Sequence, residues 1–170
     1  MRMRPMDRVL HILFSPPDHR LLSRSLQAFV LGFAGSITLV CIALAGGMAL
    51  GLIQSMPESP AEMEITMGDF LGVVILAPVV ETLLLGAILG PLRKTGWPPA
   101  AVAMLSALIW GGLHGLLAPF WFFGTVFSFF VFSSVWLTWR ARSLRHAFLA
   151  AMLPHAINNL AVFLLVAFSG

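Results

Sequence analysis

The segment "ILAPVVETLLLGAIL", Ile75 to Leu89, decides the fold because it places one carboxylate inside an otherwise apolar stretch. Glu81 is the only ionisable residue between Asp69 and Arg93. A charged side chain at the centre of a bilayer costs roughly 3 kcal/mol on insertion scales, so such a residue faces a protein interior or a wet cavity. We therefore expect Glu81 to lie inside a helix bundle and to contact polar groups from other helices.

The composition predicts an integral membrane protein. The 170 residues are 59% hydrophobic and only 10% charged, with a mean hydropathy of +0.94. A chain of this kind is typical of an all-α polytopic bundle, and its length leaves room for about five transmembrane helices. The partner it requires is the lipid bilayer, and nothing in its charge indicates nucleic acid. The single Cys41 cannot form an intrachain disulfide.

The chain divides into three parts and five predicted spans. We expect a basic cytosolic or interfacial arm, a first span with an acidic outer loop, and a four-helix core; these cover residues 1–25, 26–67 and 68–170. The predicted spans are 26–53, 68–89, 100–117, 120–139 and 146–168.

Basic residues indicate the orientation of these spans. Five of the ten Arg and Lys residues lie in the arm, two follow the second span and three follow the fourth, whereas residues 54–67 contain none. Because positive residues collect on the cytoplasmic side, we expect the N-terminus in the cytoplasm and the C-terminus outside. The composition also suggests a bacterial inner membrane protein.

Two segments allow further interpretation. The arm is interrupted by Pro16 and Pro17, and it is equally compatible with a disordered basic tail and with a helix bound near anionic headgroups. The fourth span is rich in Phe, which we interpret as a lipid-facing surface.

The possible partners of Glu81 are His114, and His155 with Asn158 and Asn159. A rise of about 1.5 Å per residue places Glu81 and His155 about 12 to 18 Å from the cytoplasmic surface. His114 is expected about 10 Å further out, unless the third span tilts or breaks at Gly111 and Gly112. His155 and Asn159 share a helix face because they are four residues apart.

A carboxylate, two imidazoles and a carboxamide form a set with a defined chemistry. Such groups can activate a water molecule and stabilise an oxyanion, which hydrolysis of an amide bond requires. The simpler interpretations are that Glu81 is a protonated structural residue bonding two helices, and that Asn159 only links helices through a hydrogen bond.

The segments "ETLLLG", "WGGLH" and "HAINN" resemble a known family when taken in this order on three helices. They are similar to the motifs of the CAAX-protease and bacteriocin-processing (CPBP) family, the Abi or Ras-converting-enzyme type of intramembrane protease. The family pattern is Glu-Glu-x-x-x-Arg, then Phe-x-x-x-His, then His-x-x-x-Asn or Asp. The resemblance assigns the catalytic Glu to Glu81, the second motif to His114, and the third motif to His155 and Asn159.

Three positions depart from that pattern. Thr82 replaces the second Glu, Gly86 replaces the Arg, and Trp110 replaces the Phe. Loss of Glu and Arg together is consistent with loss of a structural ion pair, or with a member that no longer cleaves peptides.

The resemblance implies a glutamic-type protease that requires no cofactor. Glu81 and His114 would activate the water, while His155 and Asn159 would donate hydrogen bonds to the oxyanion. The alternative is a zinc ion held by Glu81, His114 and His155, although no His-Glu-x-x-His motif is present. The expected substrate is a peptide or protein with a hydrophobic or membrane-bound segment.

Two other classes of function compete with hydrolysis. A non-catalytic relative, such as a bacteriocin immunity factor or a membrane chaperone, would hold a partner helix in the same polar pocket. Proton-coupled transport fits a buried acid but not five spans without an internal repeat.

Overall fold

The computed structural model describes residues 5–15, 20–54 and 65–169, and all its regular structure is helical. Five helical segments are long and apolar enough to cross a membrane, as the composition predicts. The helices in chain order are α1 (Pro5–Phe14), α2 (Leu21–Ala49), α3 (Met67–Asp69), the π-helix π1 (Phe70–Leu76), α4 (Ala77–Leu92), α5 (Pro99–Leu117), α6 (Pro119–Trp139) and α7 (Leu144–Ser169).

The spans agree closely with the predicted ones, with two differences at their ends. The first span begins at Leu21 rather than at residue 26, because helix α2 continues into the basic segment. The second span is the continuous unit Met67–Leu92, formed by α3, π1 and α4. The predicted break at Pro16 and Pro17 and most of the predicted acidic loop lie outside the described residues.

Helix α6 lies at the centre of the bundle, so the interpretation of a lipid-facing fourth span is wrong. It packs against α1, α2, α4, α5 and α7, and Phe129, Phe132 and Trp136 are all buried. Hydropathy does not separate the two cases, because a Phe side chain suits both lipid and a packed interior. The serines of this helix carry the missing signal, since small polar residues mark close helix packing in membranes.

Close packing between α2 and α6 depends on small residues, as the glycine content of the first span suggests. The hydroxyls of Ser36 and Ser128 are 2.8 Å apart and join the two helices. A Cβ atom at Gly35 would lie 2.0 Å from the ring of Phe127, so only glycine fits there. These contacts bring the helix backbones near enough for dispersion and hydrogen bonding to hold the bundle without a hydrophobic driving force.

The arm contains a helix that is docked onto the bundle. Leu13 of α1 is buried, and its carbonyl accepts a 2.6 Å hydrogen bond from the hydroxyl of Thr138 at the end of α6. Arg24 of α2 donates to the carbonyl of His11 at 2.9 Å. Of the two alternatives for the arm, the described part therefore forms a helix, and it packs against the same end of the bundle that carries the basic turns.

Candidate active site

Three of the predicted site residues meet inside the bundle. The Oε2 atom of Glu81 on α4 lies 3.9 Å from Nε2 of His114 on α5 and 3.7 Å from Nε2 of His155 on α7. Within the described part of the chain this oxygen is buried and has no hydrogen-bond partner. Three helices that are far apart in sequence thus bring one carboxylate oxygen between two imidazoles.

Glu81 and His114 meet although their backbone positions were expected at different depths, and α5 has no break. That helix runs continuously from Pro99 to Leu117, and counting residues from the α4–α5 turn places Glu81 about 16 Å and His114 about 22 Å from it. Side chains on an α-helix lean toward its N-terminus. Because α4 and α5 run in opposite directions from their turn, Glu81 leans away from the turn and His114 leans toward it, so their functional groups converge.

The orientation of the His114 ring is set by its own helix. Its Nδ1 lies 2.9 Å from the backbone carbonyl oxygen of Trp110, which can only accept a hydrogen bond. Nδ1 is therefore the donor nitrogen, and Nε2 of the neutral ring is the basic nitrogen that faces Glu81. The carboxylate oxygen and this ring nitrogen therefore face each other across 3.9 Å.

His155 is held by aromatic rings of α6 that the sequence interpretation missed. Its imidazole stacks on Phe132 at 5.0 Å between centroids and meets Phe129 edge-on at 5.2 Å. Phe129 also stacks on Trp110 at 4.6 Å and lies 5.8 Å from His114. The two phenylalanines therefore position both imidazoles, and this role could be found in the sequence only by recognising α6 as an interior helix.

Asn159 forms a hydrogen bond with the helix that carries Glu81. Its Nδ2 donates at 2.9 Å to the carbonyl oxygen of Val73, which lies in π1. A π-helical segment has i to i+5 backbone bonds and occurs frequently at functional sites. The interhelical role foreseen for Asn159 is thus present, and it anchors the segment that leads into α4.

Two of the three positions that depart from the family pattern, Thr82 and Gly86, are tightly packed. Thr82 is 2% exposed, and a Cβ atom on Gly86 would lie 3.3 Å from Nε1 of Trp136. The fully buried indole of Trp136 occupies the space beside Gly86 where a long side chain would otherwise extend.

Access to the site is one-sided. The side chains of Glu81 and His114 are 22% and 24% exposed, whereas that of His155 is only 5% exposed. Within the described residues no group of three or more His, Cys, Asp or Glu side chains has the arrangement of a metal site. The site therefore offers an acid, a base and a buried imidazole donor on the side that α4 and α5 leave open.

Comparison with protein families agrees with this geometry. The model described as "Type II CAAX prenyl endopeptidase Rce1-like" matches residues 64–161, which is more than half of the chain. The chain belongs to this Rce1-like group of the CPBP family. The matched region includes Glu81, His114, His155 and Asn159. No curated protein and no solved structure matches the chain.

Proposed function

We propose that this member of the Rce1-like family is an intramembrane endopeptidase in which Glu81 activates a water molecule for attack on a peptide bond. The observation that carries the proposal is the position of Glu81 Oε2, 3.9 Å and 3.7 Å from the Nε2 atoms of two imidazoles. A structural carboxyl that only joined helices would form direct hydrogen bonds of about 2.7 to 3.0 Å.

The separations favour a water molecule between these groups. Contacts of 3.7 to 3.9 Å are too long for direct hydrogen bonds but suit polar groups that share a bridging water. An unpaired buried carboxylate oxygen also costs free energy unless a donor satisfies it. A water that donates to Glu81 and contacts His114 would satisfy both requirements and would be oriented for attack.

The proposed reaction conserves atoms and protons. Glu81, assisted by His114, takes a proton as the water oxygen bonds to the scissile carbonyl carbon. An N–H of His155 donates to the developing oxyanion, which a buried donor stabilises strongly because little solvent competes. The C–N bond then breaks, the proton passes to the leaving amine, and the products are a carboxylate and an amine. Asn159 contributes by fixing π1, and its second N–H is a further oxyanion donor in the mechanism that the family resemblance implies.

The substrate class follows from the surroundings of the site and from the family description. The exposed neighbours of Glu81 and His114 are apolar, among them Val80, Leu84 and Leu113. A peptide carried by a lipid group or a hydrophobic segment can therefore reach the open side of α4 and α5 from the bilayer. The name of the matching family suggests a prenylated CAAX peptide as the first candidate.

The test uses the purified full chain in lipid nanodiscs, with a prenylated CAAX peptide and a peptide of the same sequence fused to a hydrophobic helix. We expect Glu81→Gln to reduce cleavage by at least about 10³-fold, since the amide cannot accept the proton. The control is Asp69→Asn, which replaces a carboxylate by its amide near the start of the same span. It should leave cleavage within about twofold of the wild type. Product masses would give the cut position.

Two outcomes would contradict the proposal. If Glu81→Gln cleaved at the wild-type rate, the carboxylate would not be the base, and the non-catalytic role in immunity or chaperoning would be preferred. If EDTA abolished cleavage and added Zn²⁺ restored it, the metal alternative at Glu81, His114 and His155 would replace the metal-free mechanism.

A further inference from the structure

A cavity separate from the candidate active site lies at the end of the bundle that carries the basic turns. It has a volume of about 480 Å³ and opens between the end of α1, the α4–α5 turn and the end of α6. Arg93 of the first turn and Arg140, which follows α6, both line it. Since Arg93 follows Glu81 by twelve residues along α4, the cavity is about 18 Å from the candidate active site.

The charge of this cavity favours a negatively charged occupant. Arg93 and Arg140 come from different turns but contribute to the same wall, and among the described residues no acidic side chain lines that wall. No ion pair joins either guanidinium to a carboxylate in the described ranges. Two like charges in one cavity repel each other, so a shared anion is favoured, and a guanidinium suits phosphate oxygens because its N–H groups form a planar fork.

Apart from Thr138, the rest of the wall is apolar. Phe14, Val102 and Leu137 line the cavity together with Trp97, a residue that is 56% exposed. Tryptophan is enriched where protein meets the membrane–water interface. A small soluble anion would leave these apolar groups in water, whereas a lipid covers them with its first acyl carbons.

We propose that this cavity binds the headgroup of an anionic phospholipid, with Arg93 and Arg140 on its phosphodiester. The acyl chains leave past Phe14 and Leu137, which are only partly buried, into the bilayer. Basic pockets between transmembrane helices are suited to anionic headgroups. A lipid at this position contacts α1, the α4–α5 turn and α6 at once, and so holds the docked arm to the bundle.

A peptide carboxylate is a less suitable occupant than a phospholipid. A substrate that reached both Glu81 and Arg93 would have to span about 18 Å, which takes five or six fully extended residues beyond the cut bond. It would also leave the apolar part of the cavity uncovered.

The experiment titrates the detergent-purified full chain with phosphatidylglycerol, phosphatidylcholine or glycerol 1-phosphate, and binding is followed by native mass spectrometry. Each basic contact near a membrane surface contributes about a fivefold change in affinity. We therefore expect the wild type to bind phosphatidylglycerol about 30-fold more tightly than phosphatidylcholine. The double variant Arg93→Gln/Arg140→Gln should lose most of this preference. The matched control Lys94→Gln/Arg145→Gln removes the same charge from the same end of the bundle, outside the cavity, and should keep the preference within about threefold.

Three results would overturn the assignment. Equal loss in both double variants would indicate diffuse surface charge. Displacement of phosphatidylglycerol by an equal concentration of glycerol 1-phosphate would indicate a site for a soluble phosphate. Displacement by a peptide with a free C-terminus, but not by its amide, would indicate a substrate carboxylate.

Discussion

Helices α6 and α4 differ in how much of their surface the rest of the bundle covers. In the most apolar part of each span, 44% of the residues are buried for α6 but only 22% for the span that contains α4. Helix α6 contains no titratable side chain, yet Phe129 and Phe132 contact the site imidazoles. Helix α4 carries the Glu81 carboxylate, and most of its surface is open to the membrane.

Under the proposed function this difference has a physical reason. Hydrolysis would need water and substrate to reach Glu81, so the helix that bears the carboxylate could not be enclosed on all sides. The imidazoles must keep fixed orientations, which is achieved by stacking on rings that cannot move without opening a cavity. We infer that changes on α4 affect activity more than stability, and that changes on α6 do the reverse.

After the removal of the carboxylate in Glu81→Gln, the largest expected effect comes from shortening this side chain on α4. Glu81→Asp keeps the charge but moves the carboxyl about one methylene away from His114 and His155. A misplacement of about 1 Å can lower turnover about 100-fold, so we expect that loss with an unchanged thermal midpoint. Asp69→Glu changes a carboxylate by one methylene in the same span and should have little effect on either measurement. Full activity in the Glu81→Asp variant would show that the carboxylate position is not critical.

The next effect tests the scaffold role of α6. Phe132→Ala removes the ring stacked on His155, and we expect it to lower the free energy of unfolding in detergent by about 2 kcal/mol. The cost of a Phe-to-Ala change has two parts, the cavity left in the packing and the transfer of the removed atoms out of water. Only the first part counts here, because the unfolded helices remain in an apolar medium. Leu83→Ala on the exposed face of α4 should cost less than about 0.5 kcal/mol. Equal losses would remove the distinction between the two helices.

The contrast between these helices also explains how far the sequence alone could predict the site. The five spans follow from hydropathy, and the meeting of Glu81, His114 and His155 follows from the cost of an isolated ionisable group in a bilayer. The burial of Phe129 and Phe132 could not be predicted in this way, because hydropathy gives the same value to a lipid-facing and an interior Phe. Packing against serine-rich and glycine-rich faces distinguishes the two cases, and it depends on which helices are neighbours.

The segment π1 was also beyond prediction, for a different reason. Its sequence, FLGVVIL, is compatible with an ordinary α-helix. The hydrogen bond at Val73 comes from Asn159, which is 86 residues away in the chain. Pro78, which has no backbone N–H, is a local sign that the helical bonding changes near Val73, but the sequence does not show which distant side chain bonds the free carbonyl.

A smaller effect is expected where π1 meets α7. Asn159→Ala removes the bond to Val73, which should cost about 1 kcal/mol, near the usual value for a hydrogen bond between membrane helices. Backbone amides of Phe70–Leu76 should then exchange about fivefold faster with deuterium, because the opening free energy of this segment falls. Asn158→Ala changes the adjacent carboxamide and should leave exchange in this segment unchanged. If both variants behaved alike, the Asn159 bond would not support π1.

The smallest effect compares two glycines in membrane-spanning helices, Gly86 on α4 and Gly112 on α5. Alanine is favoured over glycine in a helix by up to about 1 kcal/mol, and nothing lies within 4 Å of a Cβ atom at Gly112. Gly112→Ala should therefore stabilise the protein by somewhat less than that value. At Gly86 the new methyl group would lie 3.3 Å from Nε1 of Trp136, so crowding should offset the gain and leave Gly86→Ala close to neutral. Thermal unfolding of the two variants in the same detergent measures the difference. An equal rise of the thermal midpoint in both variants would mean that the Trp136 side chain moves aside at no cost. The buried face of α4 would then not be packed tightly against α6.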